Sequence, residues 1–262
     1  MRRPVILLPP SKGKAAGGSG RAYSRTLARQ PLAAPRREVL EVAIASAAER
    51  DDAVLARRCG VAERDATDAR RMLRDLADAP TMPAHLRYTG IVHGNAGLAA
   101  VDPDDASADV RIVSALLGLV ALDEPVPAYR LEFTATLPGI GGLATFWRDR
   151  VCEELLHVAG GARVWDLLPA EHARIWPDGL RDELDVVGVR FVRSDGRAAN
   201  AARTKVAKGL LTAHLLATPR STASAVVRAV AAARTKGAPG PLGPGWEAAQ
   251  DAGGLVATYV GE

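Results

Sequence analysis

Apolar and polar positions follow two different periods along this chain, and together they predict strands mixed with helices. The apolar run Val5–Leu8 stops at Pro9 and Pro10, which is typical of a buried strand. The next ten residues, 11–20, include four glycines and two lysines, so we expect a flexible loop directly after that strand. Residues 36–49 and 63–76 carry apolar side chains at helical spacing with charges on the other face, which predicts two solvent-edged helices.

The second half of the chain continues this mixture. Residues 88–97 contain three glycines and an asparagine, so they are interpreted as a turn-rich connection. The most apolar stretch, 110–122, begins with strand formers and contains Ser114 and Gly118, which favours a strand passing into a turn. The remaining predicted elements are a helix at 143–158 closed by Gly160 and Gly161, strands at 164–168, 186–192 and 255–260, a hairpin turn at Asp195-Gly196, helices at 204–217 and 222–233, an extended stretch at 131–136, and a Gly/Pro-rich loop at 236–245.

These signals alternate without a strict βαβ repeat. The sequence therefore predicts an α/β fold with a mixed sheet and surrounding helices, rather than a doubly wound parallel sheet. At 262 residues, one large domain and two small ones both fit the length.

Composition narrows the class of protein. The chain is 48% hydrophobic and 24% charged, close to the globular average, and its net charge of +4 is too small to indicate nucleic-acid binding by itself. Two distant cysteines predict neither a disulfide framework nor a zinc site, and free thiols fit a reducing cytoplasm. No apolar stretch approaches the roughly 18 residues of a membrane span, so we expect a cytoplasmic protein without a membrane partner.

Lysine is rare and clustered. It occurs at positions 12, 14, 205, 208 and 236, so 29 of the 34 cationic side chains are arginine. A compact ammonium group suits phosphate or carboxylate binding, and its pKa can be shifted for proton transfer. The two tight pairs indicate either a local need for ammonium groups or compositional chance.

Two glycine-containing motifs are candidates for phosphate binding. The loop Ser11-Lys12-Gly13-Lys14 follows a strand and could hold an anion, although it lacks the order of a Walker A loop and could equally be a solvated loop. The run Leu137-Pro138-Gly139-Ile140-Gly141 is similar to the hairpin of helix-hairpin-helix DNA-binding motifs. The extended character of the stretch before it favours a plain glycine turn.

The sequence contains only weak signals for ion pairing, metal binding, nucleophilic catalysis or cofactor binding. Alternation in Tyr129-Arg130-Leu131-Glu132 would put Arg130 and Glu132 on one face of a strand, as a structural ion pair or as an anion clamp formed with a lysine. The five histidines lack metal-ligand spacing, no serine-nucleophile elbow is present, and no cofactor motif is found. We therefore predict no metal and no cofactor.

Six motifs in register give this chain its resemblance to a known family, the YaaA family of peroxide-stress proteins, and to its actinobacterial branch in particular. They are Leu7-Leu8-Pro9-Pro10-Ser11-Lys12, Arg87-Tyr88-Thr89-Gly90, Ser114-Ala115-Leu116-Leu117-Gly118 with Pro127-Ala128-Tyr129-Arg130-Leu131, Leu137 to Gly141 with Phe146-Trp147-Arg148, Val164-Trp165-Asp166-Leu167, and Lys205-Val206-Ala207-Lys208-Gly209. The resemblance covers residues 4 to about 216.

The resemblance implies a single α/β domain over residues 1–262, cytoplasmic location, and a role in limiting oxidative damage linked to iron. It also implies DNA binding through a helix-hairpin-helix-like turn and a positively charged cleft. No general catalytic mechanism comes with it. The positions that match the family's motifs are Ser11, Lys12, Tyr88, Thr89, Gly90, Ser114, Gly118, Tyr129, Arg130, Trp147, Asp166, Lys205, Lys208 and Gly209.

Several positions depart from the family's pattern. An aromatic residue is replaced by Leu117, an Arg-Pro pair by Ala121-Leu122, polar or aromatic residues before the last lysine motif by residues 201–203, and a Tyr and Asp after the RYTG motif by His93 and Gly94. A second hypothesis therefore stays open, in which the chain is an enzyme acting on a nucleotide- or nucleoside-like small molecule.

Both hypotheses use the same candidate cleft. The sequence does not indicate an oligomeric state. The candidate catalytic residues of the cleft are Lys205, Lys12, Ser114, Tyr129 and Asp166, and its candidate ligand-binding residues are Ser11, Lys12, Tyr88, Thr89, Arg130, Lys208, Gly139 and Gly141. DNA or a phosphate-bearing small molecule is the expected partner. We expect Lys12 and Lys205 to line one cavity, and Lys205 to be more buried than Lys208 and to have the lower pKa.

Overall fold

A seven-stranded mixed sheet forms the centre of the computed structural model, which describes residues 2–27, 32–252 and 254–261. The strand order is β10-β11-β9-β8-β1-β3-β4, and the five strands from β11 to β3 run parallel. An antiparallel pair closes each edge, β10 with β11 and β3 with β4. The predicted α/β class with a mixed sheet is confirmed. The strands are β1 (Val5–Leu8), β2 (Thr81–Pro83), β3 (Asp109–Ser114), β4 (Gly118–Ala121), β5 (Pro125–Pro127), β6 (Thr136–Leu137), β7 (Gly141–Gly142), β8 (Val164–Asp166), β9 (Val186–Arg193), β10 (Trp246–Asp251) and β11 (Gly254–Tyr259).

Helices connect and flank these strands. They are α1 (Ala33–Ser46), α2 (Asp52–Cys59), α3 (Ala66–Arg74), α4 (Ala84–Arg87), α5 (Ile91–Asn95), α6 (Leu143–Arg150), α7 (Cys152–Ala159), α8 (Ala170–Ala173), α9 (Leu180–Glu183), α10 (Ala201–Ala217) and α11 (Ala223–Thr235). None of the helices in the described ranges has the length and apolarity needed to cross a bilayer.

The first strand lies in the middle of the sheet and is buried on both faces. Each of its four residues is at most 1% exposed, and it pairs in parallel with β3 on one side and β8 on the other. An uninterrupted apolar run suits this position, because a central parallel strand presents neither face to water. The prolines that follow end the hydrogen bonding and turn the chain out of the sheet.

Several predicted elements differ in detail from the structure. The helix predicted at 143–158 is two helices, with a break at Val151, which ends the first helix and precedes the second (φ −92°, ψ −3°). The stretch 110–122 folds as a β3–β4 hairpin rather than as one strand and a turn. The turn-rich stretch 88–97 contains the short helix α5. Sequence reasoning missed α2, whose N-terminus is capped by the Asp51 carboxylate accepting from Val54 N at 3.1 Å.

The strand expected around Arg130 is not formed. Residues 129–132 lie outside any strand, and the chain turns at 133–134. Glu132 N donates to Cys59 O at 2.9 Å, so the end of α2 holds this segment in place of a neighbouring strand. The expected pairing of Arg130 with Glu132 is replaced by an ion pair between Glu132 and Lys12, at 3.7 Å.

A buried ion pair joins α1 to the β3–β4 hairpin. The Arg36 guanidinium is fully buried and donates to Leu117 O at 2.8 Å, Leu119 O at 2.6 Å and Glu124 Oε2 at 2.5 Å. The other carboxylate oxygen of Glu124 accepts from Ala121 N at 2.9 Å. Because every one of these partners is desolvated, removing one charge leaves the other unpaired in the core.

We therefore expect Arg36→Met to lower the free energy of unfolding by about 3–5 kcal/mol, measured by urea denaturation. The double variant Arg36→Met/Glu124→Gln should recover part of this loss, since no buried charge remains unpaired. Arg71→Met is the control, because its ion pair with Asp68 is largely exposed and should change stability by less than about 1 kcal/mol. A loss no larger than that of the control would contradict this role.

Candidate functional site

The candidate site lies where the parallel strands β1, β3 and β8 reach their carboxyl ends. These strands end at Leu8, Ser114 and Asp166, and their register places the three ends side by side. The loop that leaves β1 then crosses this edge and pairs with the Tyr88 backbone at Lys14. Motifs that are far apart in the sequence therefore meet here, as they do in open α/β sheets generally.

Lys14 is the central cation of this edge. Its Nζ donates to Ser11 O at 2.8 Å and lies 4.0 Å from the centroid of the Tyr129 ring and 5.5 Å from that of Tyr88. Burial lowers its pKa to about 7, an effect that the carboxylate of Glu132 opposes and the positive charge of Arg130 reinforces. An ammonium group in this setting exchanges its proton near neutral pH.

A chain of three hydroxyls supports the tyrosines that cover Lys14. Ser114 Oγ lies 2.8 Å from Tyr129 OH, which lies 2.9 Å from Tyr88 OH. Ser114 Oγ also accepts from the backbone N–H groups of Leu116 and Leu117, at 3.2 and 3.1 Å. Burial raises the pKa of Tyr88 to about 12 and that of Tyr129 well above its ordinary value, so both phenols keep their protons at neutral pH.

His93 adds an unpaired acceptor beside this group. Its ring centroid lies 5.3 Å from that of Tyr88, and its Nε2 lies 3.0 Å from Pro9 O. A carbonyl accepts only, so Nε2 carries the hydrogen and Nδ1 is left as an acceptor. Nδ1 is buried without a hydrogen-bond partner among the residues that the structure describes, and burial lowers the pKa of His93 to about 4, so the ring stays neutral.

A second lysine lies at the end of β8. Lys208, 5% exposed, donates to Leu167 O at 2.5 Å, and burial lowers its pKa to about 8 while Asp166 and Glu171 oppose the change. Asp166 itself accepts from Leu168 N at 3.0 Å, Trp176 Nε1 at 2.9 Å and Arg181 at 2.5 Å. These three donors hold the carboxylate in one position.

His172 repeats beside Lys208 the arrangement of His93 beside Lys14. Its ring stacks on Phe133 with centroids 4.8 Å apart. Within the described part of the chain neither ring nitrogen has a hydrogen-bond partner, although the Glu171 carboxylate lies 3.9 Å from Nδ1. Burial lowers its pKa to about 4, with the charge of Lys208 acting in the same direction. Buried polar atoms are normally paired, so these nitrogens are candidates for contact with a ligand or an ordered water.

The segment 130–133 connects the two lysines. Arg130 and Glu132 act electrostatically on Lys14, while Phe133 supports His172. Arg130 Nε is another buried nitrogen that has no hydrogen-bond partner in the described ranges. The two lysine environments are thus parts of one surface along the carboxyl edge of the sheet.

The other predicted site residues are more peripheral. Lys12 and Thr89 are exposed, and the Ser11 hydroxyl donates to Gly13 O within its own loop. Gly90 is needed where it stands, because a Cβ there would lie 2.5 Å from the Ser11 Cβ. Lys205 is exposed, and neither of the two described cavities, of about 470 and 170 Å³, is lined by it or by Lys12.

The expected order of burial in the C-terminal lysine pair is wrong. Lys208 is buried and Lys205 is exposed, because α10 becomes covered only from Ala207 onward and its first turns project beyond the packed surface. Lys14, His93 and His172 were missing from the predicted site. The lysine pairing drew attention to Lys14 and the departure from the family's pattern to His93, but the sequence carried no signal for His172.

The glycine hairpin forms separately from the lysines. Strands β6 and β7 pair antiparallel, with Gly139 and Gly141 at φ +76° and +82° and nothing within 4 Å of where a Cβ would lie. Helix α6 begins directly afterwards. The segment before the hairpin is not helical, so only the hairpin and the second helix of a helix-hairpin-helix arrangement are present.

Fold and site together define a mixed α/β protein with enclosed lysines at the carboxyl edge of its parallel strands. The chain belongs to the YaaA family: the family model described as "Peroxide stress protein YaaA" matches residues 5–232. This range contains every residue of the candidate site, and the resemblance inferred from the motifs is confirmed.

Similar proteins carry the name UPF0246 protein. The one from Streptomyces coelicolor is 31% identical over 221 residues, which are 82% of this chain and 83% of the relative. Another, from Corynebacterium glutamicum, is 34% identical over 159 residues, 59% of this chain and 62% of the relative. A third, from Porphyromonas gingivalis, is 34% identical over 152 residues, 53% of this chain and 59% of the relative.

The lowered pKa of Lys14 makes the stability of the protein depend on pH. Its pKa is about 7 in the folded protein against an ordinary value of 10.5, so between these values the unfolded chain binds more protons. The free energy of unfolding should therefore rise as the pH is raised from 7 to about 9. We expect Lys14→Met to flatten this rise, measured by urea denaturation at each pH. Lys236→Met, at an exposed position, should keep the wild-type slope; equal slopes in all three proteins would contradict the enclosed ammonium.

Proposed function

We propose that the protein binds a small phosphate-bearing ligand at the carboxyl edge of its sheet, where Lys14 meets the anion, and that it serves in protection against peroxide. The carrying observation is the enclosed ammonium of Lys14 between two tyrosine rings, with a pKa of about 7. The protective role follows from membership of the family and is proposed for this chain on that basis.

The surroundings of Lys14 favour an anion. Burial of a lysine costs free energy unless its charge is compensated, and an arriving phosphate would compensate it and restore the proton. Arg130 lies close enough to lower the Lys14 pKa, and its buried Nε lacks a partner. A phosphate is commonly bound by two neighbouring cationic side chains, here an ammonium and a guanidinium group.

The same observation supports a small ligand over a macromolecule at this point. Lys14 is half-buried and Lys208 is buried, whereas Lys12 and Lys205 are exposed. An enclosed ammonium is accessible to a terminal phosphate group that enters the edge, and a duplex backbone would meet the exposed lysines first.

A catalytic role is the extension of this proposal. A lysine with a pKa near neutrality can take and return a proton during turnover, so Lys14 is suited to general acid/base chemistry on a nucleotide-like molecule. The neutral rings of His93 and His172 offer acceptors along the same edge. The general acid/base role that the sequence suggested for Lys205 is therefore proposed for Lys14.

Proton uptake on binding tests the proposal. Adenosine 5′-monophosphate is dianionic at about pH 8, because the second pKa of a phosphate monoester is about 6. At that pH the free Lys14 is mostly neutral, so a bound phosphate should raise its pKa and bring a proton in. Calorimetric titration in buffers of different ionisation heats measures this uptake.

Matched variants assign the proton to a residue. Lys14→Met should abolish both uptake and most binding, and Lys14→Arg should keep binding without uptake, since a guanidinium does not lose its proton. Lys236→Met, at an exposed position away from this edge of the sheet, should behave as wild type. Binding without proton uptake in the wild-type protein would refute the role of Lys14.

DNA binding through the glycine hairpin is a second candidate function. Gly139 and Gly141 are exposed, adopt positive φ and leave open space around the backbone, which would let a phosphate approach closely. The hairpin residues 136–142 contribute none of the side chains around Lys14, so the two functions are separable by mutation.

If DNA binds there, affinity for a short duplex should be independent of sequence and fall steeply with salt, measured by electrophoretic titration. Gly139→Ala and Gly141→Ala should weaken binding. Gly179→Ala introduces the same backbone strain at another exposed glycine, at φ +79°, and should leave binding unchanged. Lys205→Ala should weaken binding more than Lys236→Ala. No binding at low salt, or binding indifferent to salt, would remove DNA as the partner.

A further inference from the structure

A cavity of about 470 Å³ lies at the amino edge of the parallel strands, opposite the edge that carries Lys14. It is bounded by residues 2–4 before β1, the turn 161–163 before β8, residues 183–185 before β9, and the loop 219–221 between α10 and α11. Its volume falls in the range of roughly 300–1,000 Å³ that is typical of small-molecule sites. Neither the candidate site nor the glycine hairpin shares a residue with it.

Cationic side chains outnumber acidic ones in the lining of this cavity. Arg2, Arg3, Arg163 and Arg220 line it, together with the hydroxyl residues Ser107 and Ser221, against two acids, Glu183 and Asp185. The lining therefore carries two more positive than negative charges. Four guanidinium groups around one cavity repel one another. An anion bound between them would offset this electrostatic repulsion.

Three of the four arginines make contacts that use few of their donors. Arg3 donates to Ala106 O at 2.8 Å and Arg2 to His157 O at 3.2 Å, each through one of five N–H groups. Arg163 pairs with Asp185 at 2.9 Å, and this pair neutralises the nearer acid while it orients the guanidinium. The Arg163 Nε is buried and has no hydrogen-bond partner in residues 2–27, 32–252 and 254–261. Donors therefore remain for a ligand in a pre-arranged lining.

We propose that this cavity binds a small molecule that carries a diphosphate group. The planar guanidinium fork matches phosphate oxygens in pairs, and several forks at different points of the lining suit a ligand with two adjacent phosphates better than one with a single charge. The hydroxyls of Ser107 and Ser221 can complete the contacts. The site is independent of the proposed function at Lys14.

Inorganic pyrophosphate is the probe for the test, titrated into the full-length protein and followed by amide proton–nitrogen NMR. The amides of Gly161 and Ser221 should shift saturably, because both residues line the cavity. The amide of Gly13 reports separately on the loop that carries Lys14. A dicarboxylate, succinate, tested in parallel should bind more weakly if the phosphate geometry is what the arginines recognise.

Three variants complete the test. Arg220→Gln removes an exposed guanidinium and should weaken binding about tenfold, as expected for the loss of a charge-assisted hydrogen bond. Arg163→Lys keeps the charge, removes the fork and should also weaken binding. Arg64→Gln removes an exposed arginine elsewhere and should have no effect.

The outcomes separate the two sites. Shifts at Gly161 and Ser221 that respond to Arg220→Gln and persist in Lys14→Met support the cavity, whatever happens at Gly13. Shifts confined to Gly13 and lost in Lys14→Met would overturn the cavity site and leave the proposed function standing. Equal weakening by Arg64→Gln, or equal binding of succinate, would also overturn it, because only general charge would then be recognised.

Discussion

Parallel pairing of β1 with both β3 and β8 is the constraint on which the rest of the molecule depends. The four residues of β1 are almost completely buried, so this strand can sit only in the middle of the sheet. Once it does, the loop after Leu8, the hydroxyl of Ser114 and the carboxylate of Asp166 must lie on one edge. Residues separated by more than a hundred positions thereby become neighbours, and the amino ends of the same strands create the arginine-lined cavity on the other side.

Burial of the titratable side chains at the carboxyl edge determines their pKa values. Lys14 and Lys208 each lie beside a histidine that burial keeps neutral, and in each case burial is the largest cause of the lowered pKa. The carboxylates of Glu132 and Asp166 raise the pKa values of the two lysines and so offset part of the effect of burial. As a result, both lysines titrate near neutral pH. Without these carboxylates the lysines would lose their protons more completely, and without burial they would stay permanently charged.

The departures from the family's pattern lie in three different settings. Leu117 and Leu122 are buried, so these changes alter packing rather than the site. His93 instead contacts the loop after β1 and lies against Tyr88, within the site itself. Arg203, near the start of α10, lies over the Tyr259 ring at 4.4 Å from its centroid. Divergence that could change a ligand is therefore concentrated at His93, beside the lysine that we propose to bind the anion.

By itself, the sequence determined the α/β class, most of the major strands and helices, and membership of the family. Those features depend on local periodicity, on prolines and glycines that end elements, and on short motifs that survive at 31–34% identity. It also placed Tyr88, Ser114 and Tyr129 in one site, although it could not assign their hydrogen bonds.

Tertiary structure alone decided which lysines are enclosed. Lys12 and Lys14 are two residues apart in one loop, and Lys205 and Lys208 share a helix, so local sequence does not distinguish the members of either pair. Lys14 is covered because the tyrosines from two other segments fold over it, and Lys208 because α10 meets the rest of the protein only from Ala207 onward. Burial, and with it the pKa, is a property of what packs against a side chain, which the order of residues along one element does not contain.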